Sequence, residues 1–184
     1  MPPFPIFHRG GYAAVLPWVV PGMALAVGVG YLLRVRLGDW LGTRPVLAWA
    51  MVVSLGLILS ATLTPTYGQF DFGAVSRGCD LSRIGFIPLQ DLFHVDDPSL
   101  NVVLFMPLGT VLAAMGGRPR VLAVMLGAAA LPFAIEGTQL LVPALDRGCQ
   151  SADVFDNLTG LAAGLVLGAV ARWWHGVATR PAAG

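Results

Sequence analysis

The chain has 184 residues, of which 56% are hydrophobic and 11% charged, with a formal net charge of +1. Soluble domains carry roughly 25% charged residues, so this composition belongs to an integral membrane protein. The small net charge leaves no basic stripe of the kind nucleic acid requires, and no nucleic-acid partner is expected. At about 20 residues per span there is room for about five helices and for no soluble domain, so residues 1–184 read as one membrane domain.

In chain order, residues 1–12 form a short lead with three prolines, and residues 13–33 form a first span ending at Arg34 and Arg36. A signal peptide would carry its charge ahead of a shorter apolar core, whereas here the stronger charge follows. The basic loop 34–44 leads to a second span, 45–63, which stops at Thr64-Pro65-Thr66. Residues 66–99 form the longest connection and include the patch IGFIPLQDLF, too short to cross a bilayer and expected at the interface or re-entering between helices. Ser99 is placed to cap a third span, 100–115, which contains Asn101, Pro107 and Gly109. A fourth span covers 121–142 with an interruption at Pro132, and a fifth runs over 153–174 to an interfacial anchor of Trp173, Trp174 and His175. The expected fold is therefore all-α, a polytopic bundle with a long extracytoplasmic loop between helices 2 and 3.

Five spans sort the arginines by side. Arg34, Arg36, Arg44, Arg118, Arg120, Arg172 and Arg180 fall on one side, and Arg9, Arg77, Arg83 and Arg147 on the other. The positive-inside rule then puts the C-terminus in the cytoplasm and the N-terminus outside the cell membrane. The same parity places Cys79 and Cys149, in the similar settings SRGCD and DRGCQ, on the outer face. A disulfide is permitted in that compartment, and two unrelated small residues are the competing reading.

The segment IEGTQLLVPALDRGCQSADVFDNLTGLAAGLVLG holds the chemistry. An acid in a span costs roughly 2.5 to 3.5 kcal/mol at mid-helix, so Glu136 is expected to have a partner or a task. Gln139 lies about 60° from it on the same helix. In the fifth span Asp153, Asp156, Asn157, Gly160 and Gly164 share an arc of roughly 100°, which puts the polar head and the small-residue stripe on one inward face. Arg83 and Arg147 are the nearest candidate cations, and Asn101 starts its span at the same level. A purely structural network tying helix ends together is the competing reading for all of these residues.

The ordered motifs RIGFIPLQDLF, NVVLFMPLG and IEGTQLLVPALDRGCQSADVFDNLTGLAAG resemble the VanZ-like membrane proteins over about residues 62–168. The resemblance carries over Arg83, Pro88, Asn101, Pro107, Gly109, Glu136, Gln139, Arg147, Asp153, Asp156, Asn157 and Gly160. This chain has Gly85-Phe86-Ile87-Pro88-Leu89 where many relatives have Asn-Leu-Ile-Pro-Phe, so no loop Asn is carried over. The resemblance implies a cell-envelope protein linked to low-level resistance to teicoplanin-type glycopeptides, and supplies no reaction.

The sequence contains no HExxH, CxxC, Walker A or GxSxG motif, and His8, His94 and His175 are scattered, so neither a cofactor nor a metal is expected. Two functions fit. In the first, an outer-leaflet cleft binds a membrane lipid such as a lipid-linked cell-wall precursor, with Arg83 and Arg147 on phosphate and Asn101, Gln139 and Asn157 on sugar or peptide groups, beside the acids Glu136, Asp153 and Asp156. In the second, an intramembrane hydrolase or transferase uses Glu136 or Asp153 as general base. Binding is the favoured reading.

Overall fold

The computed structural model describes residues 11–65, 78–86, 97–145 and 147–178. They form five helices: α1 Gly11–Leu41, α2 Pro45–Thr62, α3 Asp97–Met115, α4 Pro119–Leu141 and α5 Ser151–Ala178. A 3-10 turn, Pro143–Leu145, follows α4. The described residues contain no strand, and one isolated backbone bridge joins Asp80 to Gln150.

Proline and glycine set several of the boundaries. Pro45 and Pro119 begin α2 and α4, where a missing N–H costs nothing and φ is already helical. Glycine ends α1: Gly42 takes φ +67°, its N–H reaches Asp39 O at 3.2 Å, and the Thr43 N–H reaches Gly38 O at 2.8 Å. This paired closure is a Schellman motif. The helix thus runs well past the expected end at Arg34. That arginine does not break it, because arginine is a good helix former; its guanidinium lies 3.5 Å from the Tyr31 ring centroid, three residues back on the same helix. Likewise α3 begins at Asp97, two residues before the cap expected at Ser99, and Pro132 lies inside a continuous α4. Pro88 and residues 87–93 of the apolar patch lie outside the described residues, whereas Ile84 and Phe86, which begin it, are exposed.

Close backbone contact orders the bundle. A Cβ on Gly160 would meet the Val102 carbonyl, one on Gly164 the Met106 carbonyl, and one on Gly168 the Thr110 carbonyl. Both numbers rise together by four, so α3 and α5 run parallel with their backbones touching, as small-xxx-small stripes allow. From α3, Gly109 meets the Leu161 carbonyl in return. α1 and α2 pack antiparallel, with Gly22 on Ser60 and Gly30 on Trp49 and Val52. Phe105, Leu108 and Leu112 of α3 form the centre of the buried core with Ile58, Val121 and Ile135 from α2 and α4.

Large apolar side chains such as Leu25, Leu32, Leu126, Phe133 and Val166 point outward, as lipid-facing positions must. α1, α2, α4 and α5 are long and apolar enough to cross a membrane. The apolar part of α3, Ser99–Met115, is shorter. Its full 19 residues still span about 28 Å, close to the hydrocarbon thickness, alongside α5. The protein is a multi-pass, all-α membrane bundle. Its helix directions give it two distinct ends. The start of α1, the end of α2, the start of α3, the end of α4 and the start of α5 share one end with the cysteines. The α1–α2 and α3–α4 turns and the end of α5 share the other with most of the arginines.

Candidate functional site

The end of α4 and the start of α5 are tied together by a short loop, and that loop is held from both sides. Cys149 forms a disulfide with Cys79, with Cα atoms 4.6 Å apart across 70 residues of sequence. Beside it the Asp80 N–H donates to Cys149 O at 2.8 Å and the Ser151 N–H to Asp80 O at 2.9 Å. The segment before α3 is thus fastened to the first turn of α5. The Ser151 hydroxyl extends the fastening by donating to Arg83 O at 2.8 Å. Asp80 also accepts from the Ser82 N–H at 2.8 Å, and this bond, helped by the Ser82 hydroxyl, holds its carboxyl below the ordinary value.

Positioned by this clamp, Arg83 reaches down onto α5. Its Nη2 donates to Asp156 Oδ2 and to Ala152 O at 3.3 Å. The Asp156 side chain is 0% exposed and that of Arg83 is 33% exposed, so a carboxylate on the inner face of α5 is neutralised by a cation that still reaches the surface. Nearby, Phe86 meets Phe155 edge-on, ring centroids 5.5 Å apart.

Glu136 has a different partner from the one topology suggested. Neither nearby arginine hydrogen-bonds it; its Oε2 accepts the Gln150 backbone N–H at 2.7 Å, in the loop beside the disulfide. Arg147 instead donates to Ala61 O at 2.8 Å and Thr64 O at 3.1 Å. Gln139 Nε2 donates to Thr62 O at 3.0 Å. Together these two side chains satisfy carbonyls at the end of α2 that no helical N–H can reach. Burial pushes the Arg147 guanidinium below its ordinary value, and the carboxylates of Asp153 and Glu136 push it back up. The three charges therefore form one electrostatic group, although Arg147 spends its hydrogen bonds on backbone.

Asn157 is buried one turn above Gly160, and its Oδ1 has no hydrogen-bond partner among the described residues. The same holds for Gln139 Oε1. Asn101 is half-buried beside Val102, whose carbonyl faces Gly160. Arg83, Asn101, Glu136, Gln139, Arg147, Asp153, Asp156 and Asn157 thus all lie at the disulfide end. Three participants carried no signal in the sequence: the Gln150 amide, the α2 carbonyls and the Ser151 hydroxyl. Two of them are backbone groups that every residue has, and the third is an ordinary helix-start serine. Among the described residues no group of three or more His, Cys, Asp or Glu side chains is placed to hold a metal ion.

No curated protein and no solved structure gives a match to the chain. The VanZ/LLP1 family model matches residues 51–172, a stretch that includes every residue of the clamp and of the polar cluster beneath it. With well over half of its length matched, the chain belongs to the VanZ/LLP1 family.

Proposed function

We propose that the protein lies in the cell membrane with its N-terminus outside and its C-terminus in the cytoplasm, and that the disulfide end binds a lipid headgroup from the outer leaflet. The preferred ligand is a lipid-linked cell-wall precursor. The observation that carries this reading is the pair of buried acceptors, Asn157 Oδ1 and Gln139 Oε1, with no donor among the described residues. A buried acceptor left without a donor costs about 1 to 3 kcal/mol, and sugar hydroxyls and peptide amides are the donors such a headgroup brings. Arg83, a third exposed, has donors beyond those it gives Asp156, and these suit a phosphate.

The orientation is supported by two independent features. Arg34, Arg36, Arg44, Arg118, Arg120 and Arg172 lie toward the opposite end, as the positive-inside rule requires of a cytoplasmic face. The disulfide is of a kind that persists in an oxidising compartment. On this reading any effect on teicoplanin-type glycopeptides follows from the lipid held in the envelope.

An intramembrane hydrolase or transferase with Glu136 or Asp153 as base is the weaker reading, because the hydrogen bond Glu136 makes holds the α4–α5 loop in place. The test is the identity of the lipid that co-purifies with the protein in mild detergent. A lipid bearing a phosphate-linked sugar or peptide headgroup, at about one per chain, is the expected result. Bulk phospholipid in the proportions of the membrane would contradict the proposal.

A further inference from the structure

At the end of the bundle opposite the disulfide, a cavity of about 950 Å³ opens between the α1–α2 turn, the end of α3 and the end of α5. Arg44, Arg118, Arg172 and His175 line it, together with apolar side chains that include Val46 and Met115. Among the described residues no acid lines it, Asp39, the acid nearest in sequence, included. Two of the three guanidiniums are already fixed in place. Arg118 Nη1 donates to Met115 O at 2.9 Å, and Arg172 Nη1 donates to Ala113 O at 3.0 Å, both on the last turn of α3. Each has five N–H donors, so this anchoring orients the group and leaves most of its donors for another acceptor. Arg44 is exposed, and its side chain makes no hydrogen bond among the described residues.

The setting narrows the class of anion. Trp40, Trp173 and Trp174 are exposed at this same end, where indoles settle at the headgroup level of a bilayer. The cavity therefore opens where phosphate groups are concentrated, with an apolar lip at Val46 for the start of an acyl chain. The two helices that begin at the cavity, α2 and α4, have no side-chain cap at Arg44 or Arg118, and their N-terminal dipoles offset the C-terminal ones of α1, α3 and α5, so the positive potential comes from the arginines. We infer that this cavity is a binding site for the phosphate headgroup of an anionic phospholipid, separate from the site at the disulfide end and independent of what that site holds.

The test is native mass spectrometry of the full chain in detergent, titrated with phosphatidylglycerol and, as a neutral control, phosphatidylcholine. Inorganic phosphate serves as a competitor. Phosphatidylglycerol is expected to be retained and phosphatidylcholine not. Arg44→Gln and Arg118→Gln should each weaken retention about fivefold, the effect of one cation near an anionic headgroup. Arg36→Gln, outside the cavity, should leave it unchanged. If Arg118→Gln folds poorly through loss of its bond to Met115, Arg44→Gln decides alone. Retention by Arg44→Gln equal to that of the unmodified protein overturns the inference. So does displacement of the lipid by inorganic phosphate at equal concentration, which would make the site one for a soluble anion.

Discussion

Arg83 and Asp156 lie 73 residues apart in sequence, yet the guanidinium of one neutralises the fully buried carboxylate of the other. The pair links the connection before α3 to the inner face of α5, and so couples the clamp around the disulfide to the helix that carries Asn157. Its two halves are not equivalent. Asp156 has no exposed surface, whereas Arg83 can turn to water.

This asymmetry predicts the order of two variants. Arg83→Gln leaves a buried carboxylate without its cation and should cost about 3 to 5 kcal/mol. Asp156→Asn should cost less, because Arg83 then swings outward, and the double variant should recover part of the Arg83→Gln loss. Melting temperatures in detergent for all three check this, and equal losses in the two single variants would refute it.

The contact between α3 and α5 predicts a contrast among glycines. Gly164→Leu must push against the Met106 backbone, which has no rotamer to yield, and should destabilise by about 3 kcal/mol or more and lower folded yield. Leu165→Ala, on a half-buried neighbour, should be milder. Gly127→Ala on α4 meets nothing within 4 Å and should be neutral or stabilising by up to about 1 kcal/mol. Yields and melting temperatures that fail to separate Gly164 from Gly127 would mean that the stripe does not pack.

The disulfide predicts a redox-dependent stability. It closes a loop of 70 residues, for which chain entropy alone gives about 4 kcal/mol, less where helices persist in the denatured state. Cys149→Ala or treatment with reductant should therefore lower the melting temperature and free the segment around Asp80 and Arg83. Limited proteolysis within residues 78–86 should accelerate on reduction. Unchanged cleavage would show that hydrogen bonds such as that from Asp80 N–H to Cys149 O suffice without the covalent link.

Orientation has its own test. After reduction, Cys79 and Cys149 should react with a membrane-impermeant thiol reagent from outside intact cells, while a tag at Gly184 should be reached only from the cytoplasm. Labelling of the two cysteines from opposite sides would break the shared end on which the site depends.

Several features of this arrangement were legible in the sequence, for reasons that can be named. Four of the helices follow from apolar runs of spanning length, and α3 from the shorter apolar run Ser99–Met115. The inward face of α5 follows from glycines four residues apart below Asp153, Asp156 and Asn157. The length of α1 was harder to read: Arg34 resembles the end of a span, but a charged helix former does not stop a helix, and the true stop is the left-handed Gly42. The partners of the charged residues were not legible. No spacing rule links Arg83 to Asp156, and Glu136 is bonded to a backbone amide, which has no side-chain signature. Arg147 could be placed near Glu136 by topology, but its choice of the α2 carbonyls depends on where that helix ends in space.

If the polar cluster at the disulfide end holds a lipid headgroup, the acids Glu136 and Asp153 that border Gln139 and Asn157 shape that site as well as the fold, and Glu136→Gln with Asp153→Asn separates the two roles. Glutamine keeps an acceptor oxygen for the Gln150 amide and nearly the same volume, so the loop it holds should survive. Melting temperature and bound-lipid occupancy would be measured together on both variants. Near-normal melting with loss of the co-purified lipid is the expected result. Folded variants that keep full lipid occupancy would contradict it and leave these residues as helix ties alone.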